Sequence, residues 1–538
     1  MRLFETVRHL SAQQIATRAL RMAQRKVRTL TNARVKPVAN VRLRPHVSLA
    51  PPGDAEHGRA VANGRFRFLN EERVSPRWDE PSASQLWRYH LHYFDYARDL
   101  DASTFSRLAL SWIDANERLA GDGWHPYTVS LRIVNWCEAI DAFGDVDNRI
   151  LASLYAQARF LAAHLEVDVR GNHLLKNLRA LIWAGTFFEG SEPDAWRDRA
   201  LRMLESEVAE QVLPDGGHFE RAPAYHVQVL RDLAETAEFL RRNGIVLAWL
   251  ETAVQKMKNF LAAITPRNGR IPLLKDSTRV DVDDLLGQRA TDSGQRTTTY
   301  LVARNAGDFL IADFGYVCPD DLPAHAHADV FTYELTIDDQ PVVVDSGVYE
   351  YAAGEWRDHF RSTPAHNTVD LDGRNQSDVY DSFRVGKRAR VRNVQFLEAG
   401  DLLIAQGEHD GYAPAIHRRT IVAAPLQRVW VFVDEIFGAE GASAHSSIHL
   451  HPAAASPALA TFGAQRVFTR SGWYSETFGE KQPNRVIVLE AAAPCRFGYA
   501  ISAEGGVTMV ADGEEIAIKT GALSLCLSLP RHGRPAIR

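Results

Sequence analysis

Four stretches of the sequence hold residues able to move protons, bind a cation or grip an anion. The first is Gly171-Asn172-His173-Leu174-Leu175-Lys176-Asn177, at the start of a segment with helical spacing. Asn172 and His173 sit where a helix cap is expected, and capping alone would explain an Asn there. The second is His218-Phe219-Glu220-Arg221-Ala222-Pro223-Ala224-Tyr225-His226, which follows the turn Pro214-Asp215-Gly216-Gly217. Its ionisable and aromatic residues suit either an acid–base site or a structural hydrogen-bonded cluster.

The third stretch is His325-Ala326-His327-Ala328-Asp329. If it runs into a strand over Val330–Ile337, its period of 2 puts both imidazoles on one face. Two histidines so placed can share a metal, or divide between metal and substrate. A second such pair, His449-Leu450-His451, is read as plain strand surface. The fourth stretch runs Val344-Asp345-Ser346-Gly347-Val348-Tyr349, then Trp356-Arg357-Asp358-His359-Phe360-Arg361-Ser362-Thr363-Pro364-Ala365-His366-Asn367-Thr368. Asp345 ends an apolar run, where a buried strand presents a carboxylate at its tip. A His, an Asp and another His from separate strands make an N2O metal site that keeps a position open for water. Local turns and salt bridges are the competing explanation.

Two kinds of element must position these residues. Segments near 84–98, 103–119, 128–144, 148–166, 173–188, 192–211, 221–243 and 246–264 carry apolar residues at steps of three and four, which predicts helices. Turns such as Gly121-Asp122-Gly123 and Gly144-Asp145 separate them, as in a helical ring or solenoid, although no sequence repeat is visible. From about Thr297 the period becomes 2. Phe309–Ala312, Val330–Ile337, Val342–Val344, Arg418–Ala423 and Val429–Val433 read as strands. Helices first and strands second imply segregated layers, not a βαβ sheet.

The 538 residues carry a formal net charge of −5, with 45% hydrophobic and 24% charged residues. This excludes collagen-like, disulfide-scaffold and wholly disordered classes, and no stretch has the ~20 apolar residues needed to span a bilayer. Cys137, Cys318, Cys495 and Cys526 form no CxxC pair and read as free thiols. The charge is uneven. Residues 1–45 hold eleven Lys or Arg against Glu5 alone, about +10, while 46–296 sum to −6 and 297–538 to −9. Leu3, Val7, Leu10, Ile15 and Leu20 give the basic arm an amphipathic helical spacing, suited to packing on the body or to contact with a membrane surface or polyanion. It lacks the continuous apolar core of a secretory signal.

The stretches GNHLLKNLRAL, HFERAPAYH, HAHAD, VDSGVY and WRDHFRSTPAHNTV together resemble the heparinase II/III superfamily of polysaccharide lyases, which includes alginate lyases. The resemblance runs from about Trp87 to the C-terminus. It implies an α+β multidomain chain: a basic helical arm at 1–45, an incomplete (α/α) toroid at 46–296 and an antiparallel β-sandwich at 297–538. The implied reaction is β-elimination at a uronic acid, leaving a 4,5-unsaturated uronate. The C5 proton is barely acidic beside an ionised carboxylate, so a donor must stabilise the developing charge. By resemblance that donor is Asn172, assisted by His173.

A base must also take the C5 proton and an acid must protonate the leaving oxygen. Tyr225 and His325 match the family's catalytic tyrosine and histidine. The expected division is Tyr225 as acid and His325 as base where the two groups lie on opposite faces, with Tyr225 performing both transfers in the syn geometry. The resemblance also implies one divalent metal on His327, Asp345 and His366. Zinc is the expected ion, manganese or calcium the alternatives, and its role is to shape the site.

Arg88, His92, Tyr93, Trp124, Glu220, Arg221, Arg357, Arg361 and Asn367 are the candidates for binding substrate, since arginine suits carboxylate or sulfate and aromatic faces suit sugar rings. Glu220 and Arg221 could equally orient Tyr225. The expected partner is an anionic uronate polysaccharide, such as heparan sulfate, hyaluronan, chondroitin, alginate or a bacterial exopolysaccharide, and not nucleic acid. The oligomeric state is left open. The expected location is cytoplasmic, with periplasmic placement or export by another route as the alternative. Two rival functions are a toroid glycoside hydrolase, which needs two carboxylates flanking the bond, and a non-catalytic uronate-polymer-binding protein.

Overall fold

The structure is a computed structural model that describes all residues except 1–4, 7, 37, 39, 50, 287–294, 298, 532 and 538, and the side chains of 295 and 296 are not described. The chain forms two compact units. One comprises Leu10–Leu213 and Gln228–Gln255; the other comprises Met1–His9, Pro214–Val227 and Lys256–Arg538. The division falls inside the helix Pro223–Arg242.

The first unit is helical, and the segments with apolar residues at three- and four-residue steps fold as helices within a few residues of their expected ends. They include Gln85–Tyr93, Ala102–Ala115, Pro126–Phe143, Asn148–Ala162, Gly171–Phe187 and Ser191–Gln211. Pro126 starts its helix at a position that needs no backbone donor. Pro126–Phe143 packs on Gly171–Phe187, which packs on Ser191–Gln211. Trp87, Trp112, Trp136 and Trp183 are all fully buried, each worth about 1.5–3 kcal/mol or more on removal from water. Arg132 lies among them with its guanidinium 3.8 Å from the Trp112 ring centre and its Nε donating to Gln157 Oε1 at 2.8 Å.

The basic arm folds as the helix Ala12–Leu30. Ser11 caps it reciprocally: Gln14 N donates to Ser11 Oγ, and Ser11 N donates to Gln14 Oε1. The helix therefore begins after Leu10, not at the start of the expected amphipathic run, and Leu3 and Val7 lie outside the described residues. Elements outside the expected segments include the helix Ala55–Ala62, the hairpin Arg65–Phe68/Glu71–Val74 and the short helix Glu355–Arg361.

The second unit is dominated by antiparallel sheets. A five-stranded meander runs Gln295–Arg296, Tyr300–Asn305, Asp308–Asp313, Tyr333–Ile337 and Gln340–Val343. A six-stranded sheet contains Leu402–His409, Ile416–Ala424, Val429–Phe437 and Cys495–Ser502 as its central strands. Its strand Val429–Phe437 is buried on both faces. Trp430 and Phe432 enter a core with Leu310, Tyr333, Ile448 and Leu489, whereas Val429, Val431 and Val433 enter one with Ile516, Ile518 and Leu527. Alternate side chains thus serve two cores, which is why this stretch reads as continuously apolar.

Candidate functional site

The centre of the sheet-containing unit is built around His325. The segment His325–Asp329 is a turn, not the start of a strand, because the strand begins only at Tyr333. The two imidazoles nevertheless meet on one carboxylate. His325 Nδ1 lies 3.1 Å from Asp276 Oδ2, and His327 Nε2 lies 2.9 Å from Asp276 Oδ1. Arg357 Nη2 donates to Asp276 Oδ2 at 2.9 Å, and Nη1 donates to Oδ1. Burial alone would raise the pKa of Asp276, but Arg357 and then the two histidines hold it well below the usual carboxylate range.

The other nitrogen of His325 faces a second carboxylate, with Nε2 3.1 Å from Glu220 Oε2. Burial would lower the pKa of His325, yet its hydrogen bonds to Asp276 and Glu220 raise it above the ordinary value. Tyr225 stacks on this imidazole, with ring centres 3.6 Å apart and planes at 24°. Its hydroxyl is 3.1 Å from that of Tyr351.

Tyr225 is in the first turn of Pro223–Arg242, where Ala224 N donates to Ser277 Oγ at 3.1 Å. Ser277 follows Asp276, so one short segment holds both the tyrosine's helix and the histidine's carboxylate. Arg221 supports the same turn in a left-handed conformation (φ 63°), and its carbonyl accepts from Tyr300 Oη at 3.2 Å. Its guanidinium pairs with Asp313 at 2.6 Å, and a Cβ on Gly315 would come within 2.0 Å of it, so only glycine fits there. Lys275 lies between Asp313 (3.2 Å) and Asp329 (2.9 Å).

The expected metal ligands lie behind His325. His366 Nδ1 is 2.9 Å from Asp345 Oδ2, and Asp345 also accepts from Thr332 Oγ1 and Gly347 N. Asp345 is thus turned on His366 and not set apart as a third ligand, and among the described residues no group of three or more His, Cys, Asp or Glu is placed to hold a metal. Two donors still fit a cation. His327 Nδ1 and His366 Nε2 are buried without a hydrogen-bond partner, on rings whose centres are 5.3 Å apart. Each imidazole has its other nitrogen on a carboxylate, the orientation that leaves a lone pair for a metal.

The helical unit carries the Asn172–His173 pair. Asn172 is not a cap: the helix starts at Gly171, and Arg170 occupies the capping position at φ 63° without a side-chain cap bond. Asn172 is instead buried in the first turn. His173 is about one-third exposed, with Nδ1 3.1 Å from Glu166 Oε1 and its ring 4.3 Å from that of Tyr127. Burial opposes ionisation of Glu166, but His173, His125 and Asn177 bring its pKa down to about 2.

Most of the candidate substrate grips are placed as supports. Arg361 is buried, donating to the carbonyls of Ala326, Tyr380, Asp381 and Arg384, which fixes the loop carrying His325 and His327. Asn367 is buried and donates to the carbonyls of Tyr333 and Val344. Arg221, Glu220 and Arg357 have the buried partners already described. In the helical unit Tyr93 and Trp124 are buried, and Trp124 Nε1 donates to Asn116 O at 2.9 Å. His92 is buried with Nδ1 accepting from Trp112 Nε1 at 3.0 Å. Arg88 is partly exposed and pairs with Asp122 at 2.7 Å. Arg88 and His92 border a cavity of about 670 Å³ with Trp78 and Arg118, and neither Asn172 nor His173 lines it.

Sequence reasoning missed Asp276, Ser277 and Tyr351. It also misplaced His449, which lies buried on its strand with Nδ1 lacking a partner, not on a strand surface.

A helical unit, a unit of antiparallel sheets and a Tyr–His centre held by two carboxylates define an α+β protein with an acid–base site. The sequence model described as Heparinase II/III N-terminus matches residues 92–292, and that described as Heparinase II/III-like, C-terminal matches residues 290–522. The chain belongs to the heparinase II/III family.

A protein named heparin-sulfate lyase from Bacteroides stercoris is 26% identical over 322 residues, covering 53% of this chain and 46% of that protein. One of the same name from Pedobacter heparinus is 26% identical over 317 residues, covering 51% and 47%. The chain spans about half the length of these curated relatives. A crystal structure of heparinase III superposes with a TM-score of 0.74 at 18% identity, covering 96% of this chain and 97% of that one. The shared fold is a helical N-terminal toroid followed by a C-terminal β-sandwich.

Proposed function

We propose that the chain is a polysaccharide lyase that cleaves a uronic-acid glycosaminoglycan of the heparin or heparan sulfate class by β-elimination. The observation that carries this reading is the stack of Tyr225 on His325, with His325 held between Asp276 and Glu220. Family membership and the names of the two curated relatives support the substrate class.

Both nitrogens of His325 face carboxylates, so the imidazole is favoured as a two-donor cation. A cation 3.6 Å from a phenol ring stabilises phenolate. This favours the division in which Tyr225 performs both proton transfers and His325 supplies charge, over that in which His325 is the base. Tyr225 Oη, as phenolate, takes the C5 proton. The C5–H electron pair becomes the C4–C5 double bond, the C4–O4 bond breaks, and Tyr225 returns the proton to O4. Asn172 and His173 are assigned to the uronate carboxylate, whose charge grows as C5 loses its proton.

A hydrolase is less well supported. Its general acid would need a carboxyl of raised pKa, whereas Asp276 is held low and both carboxylates are engaged with His325. For the metal, we propose a divalent ion, zinc first, held by His327 Nδ1 and His366 Nε2, with Asp345 orienting His366 from its other nitrogen; the ion would supply fixed positive charge. The support is the pair of orphaned imidazole nitrogens. Elemental analysis of the purified protein should find about one ion per chain, lost in His366→Ala; no ion in the parent refutes this part.

The main test is a panel of heparan sulfate, hyaluronan, chondroitin and alginate, read by the ultraviolet absorbance of unsaturated uronate. Heparan sulfate should give product, and Tyr225→Phe should lower turnover by about 10²–10⁴-fold. Near-normal turnover in that variant refutes the role of Tyr225, and absence of product from every polymer refutes the lyase reading.

A further inference from the structure

The helix Ala12–Leu30 is docked on the helical unit the wrong way round for a soluble protein. Its inward face is polar. Gln14 is buried, Arg18 and Arg21 pair with Asp168, and the Arg28 guanidinium lies 5.0 Å from the Phe160 ring centre. Arg18 Nη2 also donates to the Asp168 carbonyl at 3.3 Å.

The outward face is apolar. Ile15, Leu20, Met22, Val27 and Leu30 are 45%, 58%, 74%, 56% and 74% exposed. At 3.6 residues per turn these five side chains fall within an arc of about 160°, and Ala12, Ala16, Ala19 and Ala23 fill the same arc. All four alanines are exposed. An amphipathic helix normally buries its apolar stripe against the core and leaves its charges in water. Here Arg18, Arg21 and Arg28 are turned to the protein and the stripe is left outside.

Exposed basic residues accompany the stripe. Arg25 and Lys26 lie on the helix, and Arg34 and Lys36 lie just beyond it. Residues 1–45 carry only Glu5 against eleven Lys or Arg. An apolar face with Lys26 within its arc and Arg25 beside it matches the boundary between anionic headgroups and acyl chains. No helix among the described residues is long and apolar enough to cross a membrane, so this one would lie in the surface. The 19-residue helix offers a rod of about 28 Å.

We propose that Ala12–Leu30 is a membrane-surface anchor: its apolar stripe inserts among the headgroups of an anionic bilayer while Arg18 and Arg21 keep the helix tied to Asp168. The anchor would hold the chain at a lipid surface without a transmembrane span.

The test is flotation of the full-length protein with phosphatidylcholine vesicles containing phosphatidylglycerol, against vesicles of phosphatidylcholine alone. The parent should bind the anionic vesicles, and combined Leu20→Gln, Met22→Gln and Val27→Gln, which leave the charge unchanged, should weaken binding at least about tenfold. These side chains are more than half exposed, so the melting temperature should not change. Arg25→Glu with Lys26→Glu should weaken binding to anionic vesicles and make what remains less salt-dependent.

No binding to either vesicle overturns the proposal. So does binding that the three glutamines leave unchanged, which would mark a charge-only attraction to polyanions. A concentration-dependent dimer, lost in the triple variant and without vesicle binding, would assign the stripe to a second copy and overturn it as well.

Discussion

His92 in the helical unit and His325 in the sheet-containing unit are both buried histidines, 2% and 7% exposed, yet their pKa values are driven in opposite directions. His92 accepts a hydrogen bond from Trp112 and has Arg132 near it, and burial with that repulsion pushes its pKa down to about 3. His325 has a carboxylate on each nitrogen, and its pKa rises despite burial. Partners, not burial, decide the charge. A neutral imidazole that accepts from an indole is packing; an imidazole held between two carboxylates against a tyrosine ring is the arrangement the proposed chemistry uses.

The sharpest break in this contrast is Asp276→Asn. It leaves Arg357, fully buried, without its counter-ion and takes a charged acceptor from His325 and His327 together. Breaking a buried pair from one side costs about 3–5 kcal/mol. Guanidinium unfolding should show a loss of that size, and the pKa of His325, followed by the titration of its ring protons in NMR, should fall. A loss under about 1 kcal/mol would mean that Asp276 does not organise the centre.

Asp276 also marks where sequence reading stopped. Tyr225 and His325 are legible because each lies in a run of unusual residue types at the edge of a periodic segment. Asp276 is 49 positions from His325 in a loop, and nothing local distinguishes it from a solvated aspartate. Only the tertiary fold brings it to the two imidazoles. Most helices were readable because they bury one stripe, although Gly171–Phe187 is buried almost all round, and Val429–Val433 was readable as a strand from its apolar run.

The same logic explains the errors. The strand surface expected for His449 fails because its strand is covered, which a single strand cannot reveal. For Asn172 the residue type left a cap and a substrate donor both open. The chain instead enters that helix through Arg170 and Gly171, both at positive φ, and Asn172 lies buried in the first turn. The basic arm gave its composition but not its orientation, since sequence does not say which face of an amphipathic helix finds the body.

A smaller effect tests the other half of the comparison. The unfolded chain protonates His92 near the ordinary value of 6.5, while the folded protein resists protonation until about pH 3. Between those values the unfolded state binds more protons, so this contribution to stability is complete above pH 6.5 and is lost as the pH falls. By pH 5 the loss amounts to about 2 kcal/mol, before most carboxylates have protonated. Comparing unfolding free energies at pH 7 and pH 5 for the parent and His92→Gln isolates it. The glutamine can still accept from Trp112, does not titrate, and should shrink the acid-induced loss by about that amount even if it lowers stability at both pH values. An undiminished loss would place the acid sensitivity in other buried histidines, such as His226, whose pKa burial also pushes down to about 3, and would remove His92 as the neutral counterpart of His325.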